Sequence, residues 1–340
     1  MTTPKPLYPL LVVRSVLGLL AVGVVLLGLA AADLGPSWLD RAGGVAVAAA
    51  YSGLLAMRTG GRPVVFGLWA VVVGAGASVL AEAGPATGFW DDVATIATTG
   101  GAVLTAVVSA VLAVMLTTPA VRSWRAAVEV LVAYAIAGLG SVAVLGFRPQ
   151  LDIDRFGYAA LACAFALGFG LVFRLGAGWH GLGRRGLLVV LGGSAVLAVT
   201  VAYAELLRRY GTPGLVDGID SMVRWTRDTI GATPRPLQVL VGVPALLWGC
   251  HMRARRRQGW WVCVFGCAAT GSVATTLVNP HTTWVEAVLI PAYSLPLGLV
   301  LGYLVIRIDL ALTGQRGSRA RAVERSQAVR PEPPRLQPLL

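Results

Sequence analysis

The sequence predicts an all-α protein, a polytopic transmembrane helix bundle of about ten spans. Three observations carry that reading. Hydrophobic residues fill 56% of the 340 positions and charged residues only 13%, against roughly 45–50% and 25% in soluble domains. Apolar runs repeatedly approach the ~20 residues that a helix needs to cross hydrocarbon. The charges also sort by loop, basic on one side and acidic on the other, as the positive-inside rule requires. An ordinary soluble enzyme is excluded by the first two alone.

Broken at charges, Trp belts and Gly/Pro turns, the runs give spans at roughly 12–32, 42–57, 63–83, 94–119, 126–146, 157–176, 186–207, 236–251, 259–279 and 286–307. The first has its apolar stretch after Arg14 and ends at Ala30-Ala31-Ala32, which also resembles a small-residue signal cleavage site. An uncleaved span is the plainer reading, and the remaining topology is the same either way. The second and eighth spans are short. Sixteen residues reach about 24 Å, so these two require thin bilayer, snorkelling flanks or burial in the bundle. Trp38, Trp90, Trp124, Trp179, Trp260, Trp261 and Trp284 fall at span ends, where an amphipathic ring suits the headgroup layer.

With the N-terminus placed in the cytoplasm, the inner segments hold 20 basic and 4 acidic residues and the outer segments 8 and 12, recovering the net +12 of the whole chain. Every inner connection bears Arg. This predicts ten spans in a bacterial cytoplasmic (plasma) membrane with both termini cytoplasmic. A division into five plus five would make the halves antiparallel, the layout of inverted-repeat transporters. Basic charge distributed by loop in this way implies no nucleic-acid partner.

Residues 1–310 therefore read as the bundle, with one long outer loop over 208–235. There Leu215, Ile219, Met222, Val223 and Ile230 recur at near-helical spacing among charged positions, so an amphipathic helix at about 214–231 is expected along the outer interface. Residues 311–340 are Arg/Pro-rich without apolar periodicity and read as a disordered basic cytoplasmic tail. Membrane lipids are the expected partners, with anionic inner-leaflet lipid at the basic loops and tail. A protein partner fits the sequence without being identified by it.

No charge sits at a span centre, where an ionisable group would mark function. Glu129 follows Arg125 by four residues, and Glu205 precedes Arg208 and Arg209, so local ion pairs account for both. Glu286 has no base nearby in sequence and opens the tenth span, where the helix dipole favours a carboxylate. That span also holds Pro291, Tyr293, Ser294 and Pro296, followed by Gly298 and Gly302. Two prolines remove two backbone donors and predict a broken or kinked helix bordering a polar cavity. The competing reading is a packing kink with the two glycines against a neighbour. Thr275, Thr276 and Asn279 of the ninth span extend the candidate cavity. With Thr95, Thr98 and Thr99 they would form an outward vestibule, unless the hydroxyls bond their own helices. Asp33, Asp40, Asp91 and Asp92 form an alternative outer acidic site. Cys250, His251, Cys263 and Cys267 match no standard zinc spacing, so no metal and no cofactor is expected.

The stretch Val241-Gly-Val-Pro244-Ala-Leu-Leu-Trp248-Gly-Cys250, the Arg-rich turn, Trp260-Trp261, and Gly302-Tyr-Leu-Val-Ile-Arg307-Ile-Asp309-Leu-Ala-Leu-Thr-Gly resemble uncharacterised multi-pass integral membrane proteins of high-GC actinobacteria. A single lysine, Lys5, suits such a genome. The resemblance covers the C-terminal part and implies no activity. Three functions compete. A transporter or exporter of a small or amphipathic solute fits ten compact Gly-rich spans. A non-catalytic membrane subunit or assembly factor would dock through the interfacial helix or the tail. An outer-face lipid-linked glycosyl- or acyltransferase would use the outer carboxylates, though acidic outer loops follow from topology alone.

Overall fold

The computed structural model describes residues 8–82, 89–149, 153–175, 179–255, 258–313 and 332–339. Every regular element among them is helical: α1 Leu10–Ala31, α2 Leu39–Arg58, α3 Pro63–Glu82, α4 Phe89–Met115, α5 Ser123–Leu145, α6 Ile153–Arg174, α7 Trp179–Tyr210, α8 Pro213–Ile230, a π-helical turn Leu237–Gly242 leading into α9 Val243–Arg253, then α10 Gly259–Val264, α11 Cys267–Val278 and α12 Trp284–Thr313. Eight segments are long and apolar enough to cross a membrane. The two expected spans outside that set are the second and the eighth, now α2 and the π turn with α9.

Burial explains how these two can depart from the length and composition of a lipid-facing span. Sixteen of the twenty residues of α2 are buried, and so are ten of the eleven in α9. A helix enclosed by other helices needs no lipid-length apolar stretch, so α2 tolerates Asp40, Arg41 and Arg58 at its ends. The shell around it shows the opposite pattern. None of the most apolar window of α7 and only 17% of those of α1 and α3 is buried, against 89% for Gly259–Val278. Leu188, Val199, Phe66, Trp69 and Leu11 are all more than half exposed on this shell, a surface that a hydrocarbon solvent would cover.

Small residues set the interior spacing. A Cβ on Gly298 would lie 2.5 Å from Val243 Cβ, and one on Gly249 would lie 2.5 Å from Cys263 Sγ. Such close approach is how helices gain dispersion contact where lipid competes equally for apolar surface. At each end of the bundle a loop is tied to the end of a helix. Arg148 Nε meets Asp40 Oδ2 at 2.7 Å at one end, and the Ala120 N–H donates to Cys250 O at 3.0 Å at the other.

Two expectations change here. The tenth span is not broken: α12 runs continuously through Pro291 and Pro296. Each proline deletes one hydrogen bond, while the flanking turns keep theirs and Gly298 and Gly302 seat the helix on α9. The tail was expected to be disordered over 311–340; residues 314–331 and 340 lie outside the described residues, while 311–313 close α12 and 332–339 lie against the bundle, with Pro338 buried.

Candidate functional site

Two of the polar residues singled out on α11 and α12, Thr275 and Ser294, meet near the Glu286 end of the bundle on a side chain that the sequence did not single out, Arg235. Its position follows from the chain's return into the bundle. Gly231 caps α8 in a left-handed conformation (φ 82°) that favours glycine. The segment after it then turns inward and delivers Arg235 ahead of the π turn. The Arg235 N–H donates to Ser294 Oγ at 2.9 Å, and Nη1 donates to Thr275 Oγ1 at 2.7 Å and Ser272 O at 3.2 Å. Burial lowers the pKa of this guanidinium, and the charge of Glu286 acts in the opposite sense.

One turn further in, Gln238 on the π turn is 0% exposed. Its Nε2 donates to Ser272 Oγ at 2.8 Å, and its Oε1 accepts from Tyr134 Oη of α5 at 3.3 Å. A π turn adds a residue to the helical ladder and rotates the side chains that follow, which is why such turns recur where a polar group must be aimed. The network thus joins α5, the π turn, α11 and α12 through groups that hold one another.

Glu286 has a base after all. Arg227 of α8 reaches it at 2.5 Å and also donates to His281 O at 3.0 Å, while Thr283 Oγ1 caps the Glu286 N–H at 3.2 Å. Tyr293 Oη donates to Ile230 O at 2.8 Å. Tyr293 and Ser294 therefore tie the 230–235 segment to α12 and do not serve the carbonyls opened by Pro291 and Pro296. Thr276 Oγ1 donates to Ser272 O at 2.9 Å, and Asn279 Oδ1 accepts from the His281 N–H at 2.9 Å. The Thr98 hydroxyl also bonds its own helix, at Ala94 O and Thr95 O. These are the backbone-satisfied hydroxyls of the plainer reading.

Among the described residues, no contact brings the carboxylates of the alternative acidic site together. Asp40 is held by Arg148 and by the Arg41 N–H. Asp33 occupies an exposed turn at φ 53°. Asp92 is exposed, and the Asp91 side chain lies outside the described set. Glu205 pairs with Arg209 at 3.1 Å as its spacing suggests. Glu129 does not pair with Arg125, which lies over Trp124. It accepts instead from Arg335 at 2.7 Å and from the Thr118 N–H at 2.8 Å. Cys250, Cys263 and Cys267 are buried free thiols.

Two apolar grooves of about 200 and 270 Å³ open on the bundle's flanks. Phe66, Trp69, Leu104 and Phe147 line one, and Gly193, Leu240, Trp248 and Phe265 the other. Neither includes a member of the Arg235 network.

Among the described residues, fold and site define an all-helical bundle with eight helices long and apolar enough to cross a membrane, compatible with an integral membrane protein. Comparison with family models, curated proteins and solved structures gave no match.

Proposed function

We propose that the chain is a ten-span integral membrane protein of the bacterial plasma membrane, with both termini cytoplasmic, acting as a non-catalytic membrane subunit or assembly scaffold. The supporting observation is the closed small-residue packing of its centre. The π turn, α9, α11 and α12 meet at Gly298 on Val243, Gly302 on Pro244 and Leu247, and Gly242 on Ala269, which leaves little room between these helices for a water-filled path. On this reading α2 and the π turn with α9 cross as buried helices, and α8 lies along the outer interface with Leu215, Met222, Trp225 and Ile230, all exposed here, in contact with lipid.

One observation favours a second reading, an exporter or transporter of a small polar or amphipathic solute. The Arg235, Gln238, Tyr134 and Ser272 network sits inside the bundle at a π turn, and buried polar groups of this kind also line transport pathways. The two readings differ in water access. Single cysteines at Ala269, Ser272, Thr275 and Thr276 in a chain freed of its native thiols would be treated with a membrane-impermeant thiol reagent from each side. A scaffold leaves positions 269 and 272 unreactive from both sides. Labelling at either position identifies a water-filled path and overturns the scaffold reading. Reporter fusions placing residue 320 outside, or loop 208–235 inside, overturn the topology.

A further inference from the structure

At the Arg58 end of the bundle two guanidiniums are sealed from solvent, Arg58 at 0% and Arg253 at 1% exposure. Arg58 Nε donates to Met115 O at 3.0 Å. Arg253 donates from Nη1 to Thr117 Oγ1 at 2.8 Å and from Nη2 to Thr117 O at 3.0 Å, and it lies 3.4 Å over the Trp260 ring. These neutral partners orient the two cations without compensating their charge.

The compensating contacts come from residues 332–339. Glu332 accepts from Arg253 Nε at 3.3 Å and also from Nη2. Arg58 Nη1 donates to the carbonyls of Pro333, Pro334 and Gln337 at 3.3, 2.9 and 2.9 Å. The Leu339 N–H donates to Arg58 O at 3.0 Å. Arg335 completes a reciprocal pair, donating to Glu129 at 2.7 Å and to Leu116 O at 2.9 Å. A segment carrying one acid and one base is matched to a site holding a buried base and a buried acid.

The match leaves a remainder. Among the described residues, Arg58, Arg253 and Arg335 meet two acids, Glu129 and Glu332, one fewer than the bases. Arg58 Nη2 is a buried donor atom with no hydrogen-bond partner among the described residues. Two guanidinium forks side by side suit an anion with more oxygens and more charge than one carboxylate, and a phosphate group is that anion. We propose that residues 332–339 are a displaceable plug in an anion site built by Arg58 and Arg253, and that a phosphate-bearing anion competes with Glu332 for it. The same chemistry is offered by an anionic lipid headgroup at this membrane face and by phosphate free in solution. The inference stands independently of the scaffold reading.

The test follows tryptic cleavage after Arg335 by intact mass, using the full chain in phosphatidylcholine nanodiscs. Docking protects this bond. Glu332→Gln should speed its cleavage about tenfold, the scale of one charge-assisted hydrogen bond lost. Adding inorganic phosphate, or mixing phosphatidylglycerol into the nanodisc, should bring the wild type toward the Glu332→Gln rate, and the arm that does so identifies the source. Chloride at matched ionic strength should not. Equal wild-type and Glu332→Gln rates, no effect of either phosphate source, or equal acceleration by chloride would each overturn the proposal. As a binding readout, native mass spectra should show more retained phosphatidylglycerol or phosphate on Glu332→Gln than on the wild type, and less on Arg58→Gln. The reverse order counts against the site.

Discussion

At the Arg58 end, a segment from outside the helices is held by guanidiniums that solvent cannot reach. At the Glu286 end, α8 is held by Arg227, which keeps 47% of its side chain exposed while Glu286 keeps 11%. The two clasps use the same ion chemistry and differ in where the charges sit. A pair whose base stays half-exposed is partly screened and loses side-chain freedom, so it contributes less. A buried guanidinium without its partners has no water to fall back on, so its contacts carry more. The difference suggests distinct uses. The Glu286 clasp places α8 and can yield cheaply, whereas opening the Arg58 clasp requires another ligand for the charge.

Five substitutions test how the two ends and the bundle interior are held, the largest effect first. Arg253→Gln should cost about 3 kcal/mol in unfolding, because the Thr117 hydroxyl and carbonyl lose charged donors inside the protein and the stack on Trp260 is lost. Thermal unfolding in detergent measures it, and a loss no larger than that of Arg227→Gln would break the contrast.

Gln238→Leu should cost about 2 kcal/mol by leaving the Tyr134 hydroxyl without its acceptor. Adding Tyr134→Phe should recover part of that loss. Strict additivity in the double-mutant cycle would show that the two groups are not coupled. Arg227→Gln should cost under about 1 kcal/mol, and the cost should shrink as salt is raised. A salt-independent loss would mean that the pair is effectively buried.

How much of this was legible in the sequence depended on whether the signal was local. The apolar runs announce the helices, and the spacing of Leu215, Ile219, Met222 and Ile230 places α8 almost to the residue. The shortness of the second and eighth spans hinted at burial, since a helix shielded by others is free of lipid-length composition. The clasps were not legible, because their partners lie 59 residues apart for Arg227 and Glu286 and 79 for Arg253 and Glu332. No periodicity encodes such pairs. Two faint signals existed: Gln238, an amide inside a span, and Glu332-Pro-Pro-Arg335, an acid and a base set at fixed distance by prolines in a tail otherwise rich in Arg. The prolines of α12 pointed the other way. They suggested a break or a kink; α12 runs on as one helix, and Gly298 and Gly302 pack closely on α9, as the competing packing reading has it.

The smallest expected effect is also the most specific to the Glu286 end. Tyr293→Phe removes the hydrogen bond from Oη to Ile230 O, 2.8 Å long and exposed. Water can replace the lost donor, so global stability should fall by only about 0.5 kcal/mol. The locus of the change matters more than its size. Ile230 is the last residue of α8, and beyond Gly231 the chain reaches Arg235, which enters the Ser272, Thr275 and Ser294 network. Loosening that junction should raise amide exchange across 226–233 while leaving α11 and α12 protected, because the Arg235 contacts survive. Exchange rising together in α8 and α11 would mean that the two form one cooperative unit, and the Glu286 clasp would then be as integral to the bundle as the one at Arg58. Exchange confined to α8 would mark this helix as a separately opening element, able to move without disturbing the packed centre.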